Sequence, residues 1–221
     1  MAPFGKIYSY PGNFRVDRVQ VVAAFNGLEV PLAENFKISV DNKTPEFLAK
    51  FPMGKVPALE CADGFCIAEG GAIAYYLARS GPKKDQLLGT DPKTQSIIDQ
   101  WVFLAETELV SNIVYPAAMV VWKVIPYDET RYTTQVNSFE RALKRIEVAL
   151  KDGQKYLVGD NVTLADIMVA GCVFFASKFL IDAEMRKEIP NVVAWAQRLD
   201  ALPEFKALGG FNLLETRVKA E

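Results

Sequence analysis

The stretch FPMGKVPALECADGFCIAEGGAIAYYLAR, residues 51–79, decides how this chain folds. Two short apolar runs, 56–59 (VPAL) and 65–68 (FCIA), flank the turn signal Ala62-Asp63-Gly64, a pattern that predicts a β-hairpin. Glu69-Gly70-Gly71 follows, then a helical run over 72–79 that Ser80-Gly81-Pro82 stops. A strand ending where a helix begins leaves free backbone N–H groups pointing outward, and Gly70 and Gly71 let a ligand approach them closely. Glu69 adds a carboxylate beside these donors. Donors for a carboxylate next to an acid for an ammonium suit the amino-acid end of a small peptide. Val56-Pro57 stands at the head of the first strand. A cis bond there would turn the Val56 backbone outward as an edge for an extended peptide; a trans bond would leave a plain hairpin packed on a helix, and the local pattern accommodates either.

Before this stretch, 6–10 (KIYSY) reads as a strand and Pro11-Gly12-Asn13 as a loop. Residues 16–26 read as a helix with apolar Val16, Val19, Val22 and Ala23, and Gly27 just past its end. Residues 30–34 (VPLAE) read as a further strand, so the opening is a parallel βαβ unit with a right-handed crossover. Asn13 takes an N-cap position. An amide donor at a helix N-terminus favours an anion such as a thiolate, and serves equally as an ordinary cap. Thr44-Pro45 opens a short helix with Thr44 as its cap. The N-terminal unit is then βαβ–α–ββα, ending near Gly81.

After it, 82–90 (PKKDQLLGT) reads as a linker and strand signals vanish. Asp91-Pro92 opens a long helical stretch that Pro116 should kink or end. A second long helix, 128–151, carries Tyr132, Val136, Phe139, Leu143, Ile146 and Leu150 at alternating spacings of four and three, a core stripe. Thr163 and Asp166 form a capping box, with Val162 and Ile167 as a hydrophobic staple. The helix beyond, to about Leu180, is apolar on nearly all sides and should be the buried centre of a helical domain. Residues 191–202 form a further amphipathic helix closed by Pro203.

Composition narrows the chemistry. Of 221 residues half are apolar, enough for a sizeable core, and the net charge is only −2. No basic block of the kind that binds nucleic acid or an anionic membrane is present, and no run reads as a secretory or membrane-spanning segment. A cytoplasmic protein is expected. The chain has no histidine, which removes Ser-His-Asp and Cys-His nucleophilic machinery and most zinc sites. Cys61, Cys66 and Cys172 read as small buried hydrophobes in a reducing compartment.

Taken together, F-P-M-G-K-V-P-A-L, A-E-G-G-A-I-A-Y-Y-L and Y-L-V-G-D-N-V-T-L-A-D resemble the glutathione transferase superfamily over almost the whole chain. Within it, 7–11 (IYSYP), 44–52 (TPEFLAKFP), 63–66 (DGFC) and 72–76 (AIAYY) are similar to the fungal-type transferase-like N-terminal domain of the elongation factor one gamma subunit. The resemblance implies an α/β plus all-α architecture: a thioredoxin-like domain with a mixed four-stranded sheet over 1–81, the linker 82–90, and an all-helical domain over 91–221. It implies reduced glutathione as co-substrate, no metal, and a homodimer formed by the hairpin-to-helix region against the partner's helical domain. Two activities follow from it. One is a transferase that activates the glutathione thiolate for attack on a small hydrophobic electrophile. The other is a weakly catalytic or non-catalytic scaffold that docks a guanine-nucleotide exchange subunit, and the short end of the chain after Val218 lacks the charged linker expected of such a subunit. Neither implies nucleic acid or membrane as a partner.

Residue by residue, the resemblance places the backbone of Val56, before Pro57, against the cysteine of glutathione, and Glu69 at its γ-glutamyl end. Relatives carry Ser after that acid. Here Gly70 keeps the N–H and loses a hydroxyl, a hydrogen bond to a charged group worth about 1.5–3 kcal/mol. Asn42 and Lys43 fall where a His-Lys pair often meets the glycyl carboxylate, and Lys55 where Gln or Lys flanks the cysteine. The catalytic position, Ser in related enzymes, falls at Asn13; Tyr8, Ser9 and Tyr10 are alternative donors and Arg15 a nearby cation. Trp101, Glu106 and Tyr115 are candidates to line the electrophile site, Trp101 fitting the core at least as well.

Overall fold

The structure, a computed structural model, describes residues 3–220. Met1, Ala2 and Glu221, the outer limits expected for the two domains, lie outside the described residues. Strands β1 (Gly5–Tyr8), β2 (Ala58–Cys61) and β3 (Cys66–Ala68) form an antiparallel sheet in that order. Ile7 pairs with Leu59, and Leu59 with Ile67. Side chains alternate across the pleat, so the sheet has two different faces. Ile7 and Leu59 join one buried cluster with Val19 and Val22 of helix α1 (Phe14–Phe25) and Ile73 and Leu77 of α3 (Gly70–Arg79). Tyr8 and Ala58 face the other way, toward Phe47 and Phe51 at helix α2 (Pro45–Lys50). Thr44 caps α2 through the Phe47 N–H, with Pro45 in the first turn as expected.

The fourth strand expected over 30–34 is reduced to a single parallel bridge, Ile7 to Leu32. The Ile7 N–H donates to the Pro31 carbonyl and the Ala33 N–H to the Ile7 carbonyl, each at 2.8 Å. Pro31 has no N–H of its own, and a residue of that kind belongs on a sheet edge rather than within a ladder.

Helix α4 (Lys84–Leu88) occupies the stretch read as a linker and buries Leu87. The helical half then runs through α5 (Pro92–Leu104), a π-helix (Ala105–Val110), α6 (Ser111–Val120), α7 (Glu129–Ala149), α8 (Leu164–Ser177), α9 (Ala183–Lys187) and α10 (Pro190–Asp200). Pro116 does not end its helix, which continues to Val120. Ile113, Ala117 and Val120 around it are buried, and that packing outweighs the one hydrogen bond the proline withholds. The local widening of the helix lies upstream instead, in the π-helix. Every residue of α8 except Phe175 is buried. Its capping box forms, and the fully buried Asp166 also accepts from the Leu157 N–H and from Trp195 Nε1. Helix α1 packs on α8, where the rings of Phe14 and Phe175 stack at 4.6 Å. The two halves therefore share one core. Among the described residues no helix is long and apolar enough to cross a membrane.

Candidate functional site

A cleft of about 760 Å³ opens beside the N-terminus of α3, a size suited to a small ligand. Seven of the residues expected to hold glutathione line it: Arg15, Asn42, Lys55, Val56, Pro57, Glu69 and Gly70. The Val56-Pro57 bond is cis. Val56 lies two residues before Ala58, the first residue of β2 paired to β3, so its backbone is beyond the last rung of the sheet. Glu69 is the N-cap of α3 and has φ 70°, a conformation that L residues other than Asn and Asp seldom adopt. Its side chain makes no capping bond, so the first N–H groups of α3 stay available.

Gly70 and Gly71 stand at the opening of that helix. A Cβ added at Gly70 would meet Pro57 Cγ at 3.6 Å, Arg15 Cβ at 3.7 Å and Arg18 Nη2 at 3.9 Å, ordinary contacts. Space for the missing serine is therefore present. Asn42 is buried and donates to the Gly54 carbonyl at 2.6 Å, which ties the 52–55 loop to the cleft wall. Gly54 has φ 59°, and a side chain there would strike the Asn42 carbonyl at 2.9 Å. Lys43, expected beside Asn42, is exposed and does not line the cleft. It sits in a 3-10 turn (Asp41–Lys43), whose tight winding sends neighbouring side chains different ways. Lys50 lines the cleft in its stead, with Nζ 2.5 Å from Glu60.

The catalytic candidates are spread over different surroundings. Asn13 caps α1: Oδ1 accepts from the Arg15 N–H at 3.2 Å, while Nδ2 donates to Ser9 Oγ at 3.0 Å. Both Asn13 and Ser9 are 3% exposed and neither lines the cleft. Tyr8 faces away from it. Its ring sits 5.4–5.9 Å from those of Phe36, Phe47 and Phe51, and its hydroxyl donates to Glu60 Oε2 at 2.5 Å. Burial and that bond push the Tyr8 phenol up. Hydrogen bonds from Lys50 and Tyr8 hold Glu60 down at about 2. Tyr10 is exposed and outside the cleft. Arg15 does line it, with its guanidinium 4.7 Å from the Phe14 ring centre; burial and the charge of Arg18 lower its pKa.

Of the residues suggested for an electrophile, Glu106 reaches the cleft. Trp101 is core, 2% exposed beneath Arg145, and Tyr115 lies under Arg131 outside the cleft. Among the cysteines, Cys61 and Cys172 are buried and Cys66 half-buried, and all are free. Burial pushes Cys172 up to about 11, so its thiol is inert at neutral pH.

Sequence reasoning missed Arg18. Its side chain is 1% exposed and its Nη2 lies 2.8 Å from Glu106 Oε1. A signal was present: Arg18 falls four residues from both Phe14 and Val22 on the buried stripe of α1, a position where an unpaired cation is expensive.

The chain is similar to known proteins over nearly its whole length. The glutathione S-transferase N-terminal domain family matches residues 3–79, and the glutathione S-transferase C-terminal domain family matches 103–203. A glutathione S-transferase-like protein, LUC7, of a Fusarium species is 45% identical, covering 98% of both chains. Elongation factor 1-gamma of Artemia salina is 34% identical over 96% of this chain, which spans 48% of that protein. Among solved structures, the GST-like domain of elongation factor 1-gamma from Saccharomyces cerevisiae superposes with a TM-score of 0.81 at 24% identity, with full coverage of both chains.

Proposed function

The chain belongs to the glutathione S-transferase family, and on that premise we propose that it is a cytoplasmic glutathione transferase. Reduced glutathione lies in the cleft. Its cysteine backbone pairs with Val56 beside the cis Pro57, and its γ-glutamyl end meets Glu69 and the open N-terminus of α3. The observation that carries this reading is the convergence of seven expected residues, drawn from segments far apart in sequence, on one cleft. Arg15 supplies positive charge for the thiolate from the cleft wall, while Asn13, buried behind that wall, acts at longer range from the α1 N-terminus that it caps. The thiolate sulfur then attacks the electrophilic carbon of an apolar substrate, forming a C–S bond as the leaving group or π-electron pair departs. Calorimetric titration with reduced glutathione tests the site: binding at or below millimolar Kd, lost in Glu69→Ala, supports it. No binding at about ten millimolar, far above useful affinity, removes it.

A second reading has its own support. Gly70 lacks the hydroxyl, and the elongation factor 1-gamma of Artemia salina is a relative at 34% identity. In this reading the fold is a docking surface for an exchange-factor subunit. Co-purification of such a subunit with the full-length native protein would favour it.

We also propose a homodimer. Phe65, at the tip of the hairpin, is 45% exposed and Phe103 of α5 is 64% exposed, apolar surface that a partner copy would cover. Sedimentation at micromolar concentration checks this, and a monomer would contradict it.

A further inference from the structure

A line of aromatic rings leads away from the cleft. Arg15, in the cleft wall, holds its guanidinium 4.7 Å from the ring centre of Phe14. Phe14 stacks on Phe175 at 4.6 Å with 11° between the planes, and Phe175 stacks on Trp122 at 5.8 Å and 27°. Rings from α1, from α8 and from the turn after α6 thus lie close to parallel. Exposure rises along the line. Phe14 is buried, Phe175 is the one residue of α8 that is not, and Trp122 is 41% exposed. Both outer rings are fixed. Phe179 meets Phe175 edge-on at 5.3 Å, and the Trp122 N–H donates to the Ala117 carbonyl at 2.8 Å before the chain turns at Lys123, φ 52°. Val121 and Val124, 42% and 71% exposed, flank the indole, so the far end of the line is an apolar margin open to solvent.

From this arrangement we propose that Trp122 and Phe175 select the second substrate, and that it is an electrophile with a flat aromatic tail set apart from its reacting carbon by a spacer. The reacting carbon lies at the Arg15 end of the line and the tail stacks at the Trp122 end. The proposal rests on the reading of the cleft as a glutathione site and replaces a small apolar electrophile by an elongated one. Length follows from where the line runs. It begins at the cation assigned to the thiolate and ends two rings beyond Phe14, so an electrophile confined to the cleft would leave the indole unused. Flatness follows from the planes. An aromatic group slides along or over parallel rings in the offset arrangement that their quadrupoles favour. A saturated ring of similar size buries similar apolar area but is puckered and has no π face, so the difference between the two isolates stacking from plain burial.

The experiment is calorimetric titration of the full chain and its variants with glutathione and with two of its thioethers. On sulfur one carries a hexyl spacer ending in phenyl, the other the same spacer ending in cyclohexyl. The unaltered protein should bind the phenyl thioether about fivefold tighter than the cyclohexyl one, the scale of an aromatic stacking contact. Trp122→Leu should bring the two to equal affinity and leave glutathione itself bound as before; Trp122→Phe should keep part of the preference. Phe175→Leu, which nearly conserves volume, should also shrink the preference and carries the test if Trp122→Leu fails to fold. Trp101 and Trp195 are buried, so a change in exposed-indole fluorescence that accompanies the phenyl thioether and vanishes in Trp122→Phe would place the tail at Trp122. An unaltered protein that binds glutathione and both thioethers without preference overturns the proposal and leaves the glutathione site standing, as does a preference that survives in the folded leucine variants. A protein that binds glutathione and neither thioether overturns it in the same way. Binding of none of the three removes both the proposal and the glutathione site.

Discussion

Gly171 of α8 and Arg18 of α1 occupy one volume: the place where a Cβ would stand on Gly171 is filled by the Arg18 stem. The glycine lies in a helix whose residues, Asp166 and Ser177 apart, are apolar and almost wholly buried, so its role is room, not flexibility. Gly171→Ala must push the arginine off the pair with Glu106 or part the two helices. Overpacking of this kind destabilises by about 1–3 kcal/mol. Thermal unfolding should show a Tm lower by roughly 2–4 °C for each kcal/mol lost. An unchanged Tm would mean that the stem has another path across α8.

Gly70 lies at the other end of the same arginine. Its absent side chain leaves space, with nothing nearer than 3.6 Å. Gly70→Ser should therefore enter without strain and restore a hydroxyl at the α3 N-terminus. One hydrogen bond to a charged group is worth about 1.5–3 kcal/mol, so glutathione should bind about tenfold tighter or better in titration calorimetry. Unchanged affinity would show that the γ-glutamyl end does not rest at Gly70.

What the sequence disclosed, and what it withheld, divides along physical lines. The hairpin, the α2 cap and the capping box of α8 depend on neighbours within a few residues, and each formed as read. The cis state of Val56-Pro57, left open by the local pattern, was settled by the folded chain. The Leu32 strand shrank to one bridge and the helix did not end at Pro116, because packing against distant segments decided both. Alternation along β1 says that Tyr8 and Ser9 face opposite ways. It cannot say that Phe36, Phe47 and Phe51 fill the Tyr8 side. The Arg18–Glu106 pair joins α1 to a helix nearly ninety residues later, and no spacing rule links them.

Glu60 governs acid stability on the α2 side of the sheet. It accepts from Tyr8 and is paired with Lys50 and Lys6 at 2.5 and 3.4 Å. These partners depress its folded pKa to about 2 from 4.5. A depressed carboxylate adds stability that is fully present above 4.5 and is lost as pH falls toward 2. Glu60→Gln should thus have a lower Tm than the unaltered protein at pH 7, and the difference should close between pH 4.5 and 2. A gap that is constant across that range would assign the effect to shape rather than to charge.

Asn13 carries two roles that one pair of substitutions can separate. Its Oδ1 caps α1 through the Arg15 N–H, and its Nδ2 donates to Ser9 with one amide hydrogen left over. Asn13→Ala removes both, so it should lower stability by about 1 kcal/mol, a typical cap loss, and lower turnover at least about tenfold, some 1.4 kcal/mol of barrier. Asn13→Asp keeps the cap, since aspartate serves there as well as asparagine. It replaces an N–H donor with a negative charge that opposes a thiolate. This variant should melt within a degree or two of the unaltered protein and still lose turnover, with the pH at which the bound thiol ionises moved upward in absorbance titration near 240 nm. If Asn13→Asp keeps full turnover, Asn13 is a cap alone, and Arg15 in the cleft wall becomes the group to substitute next.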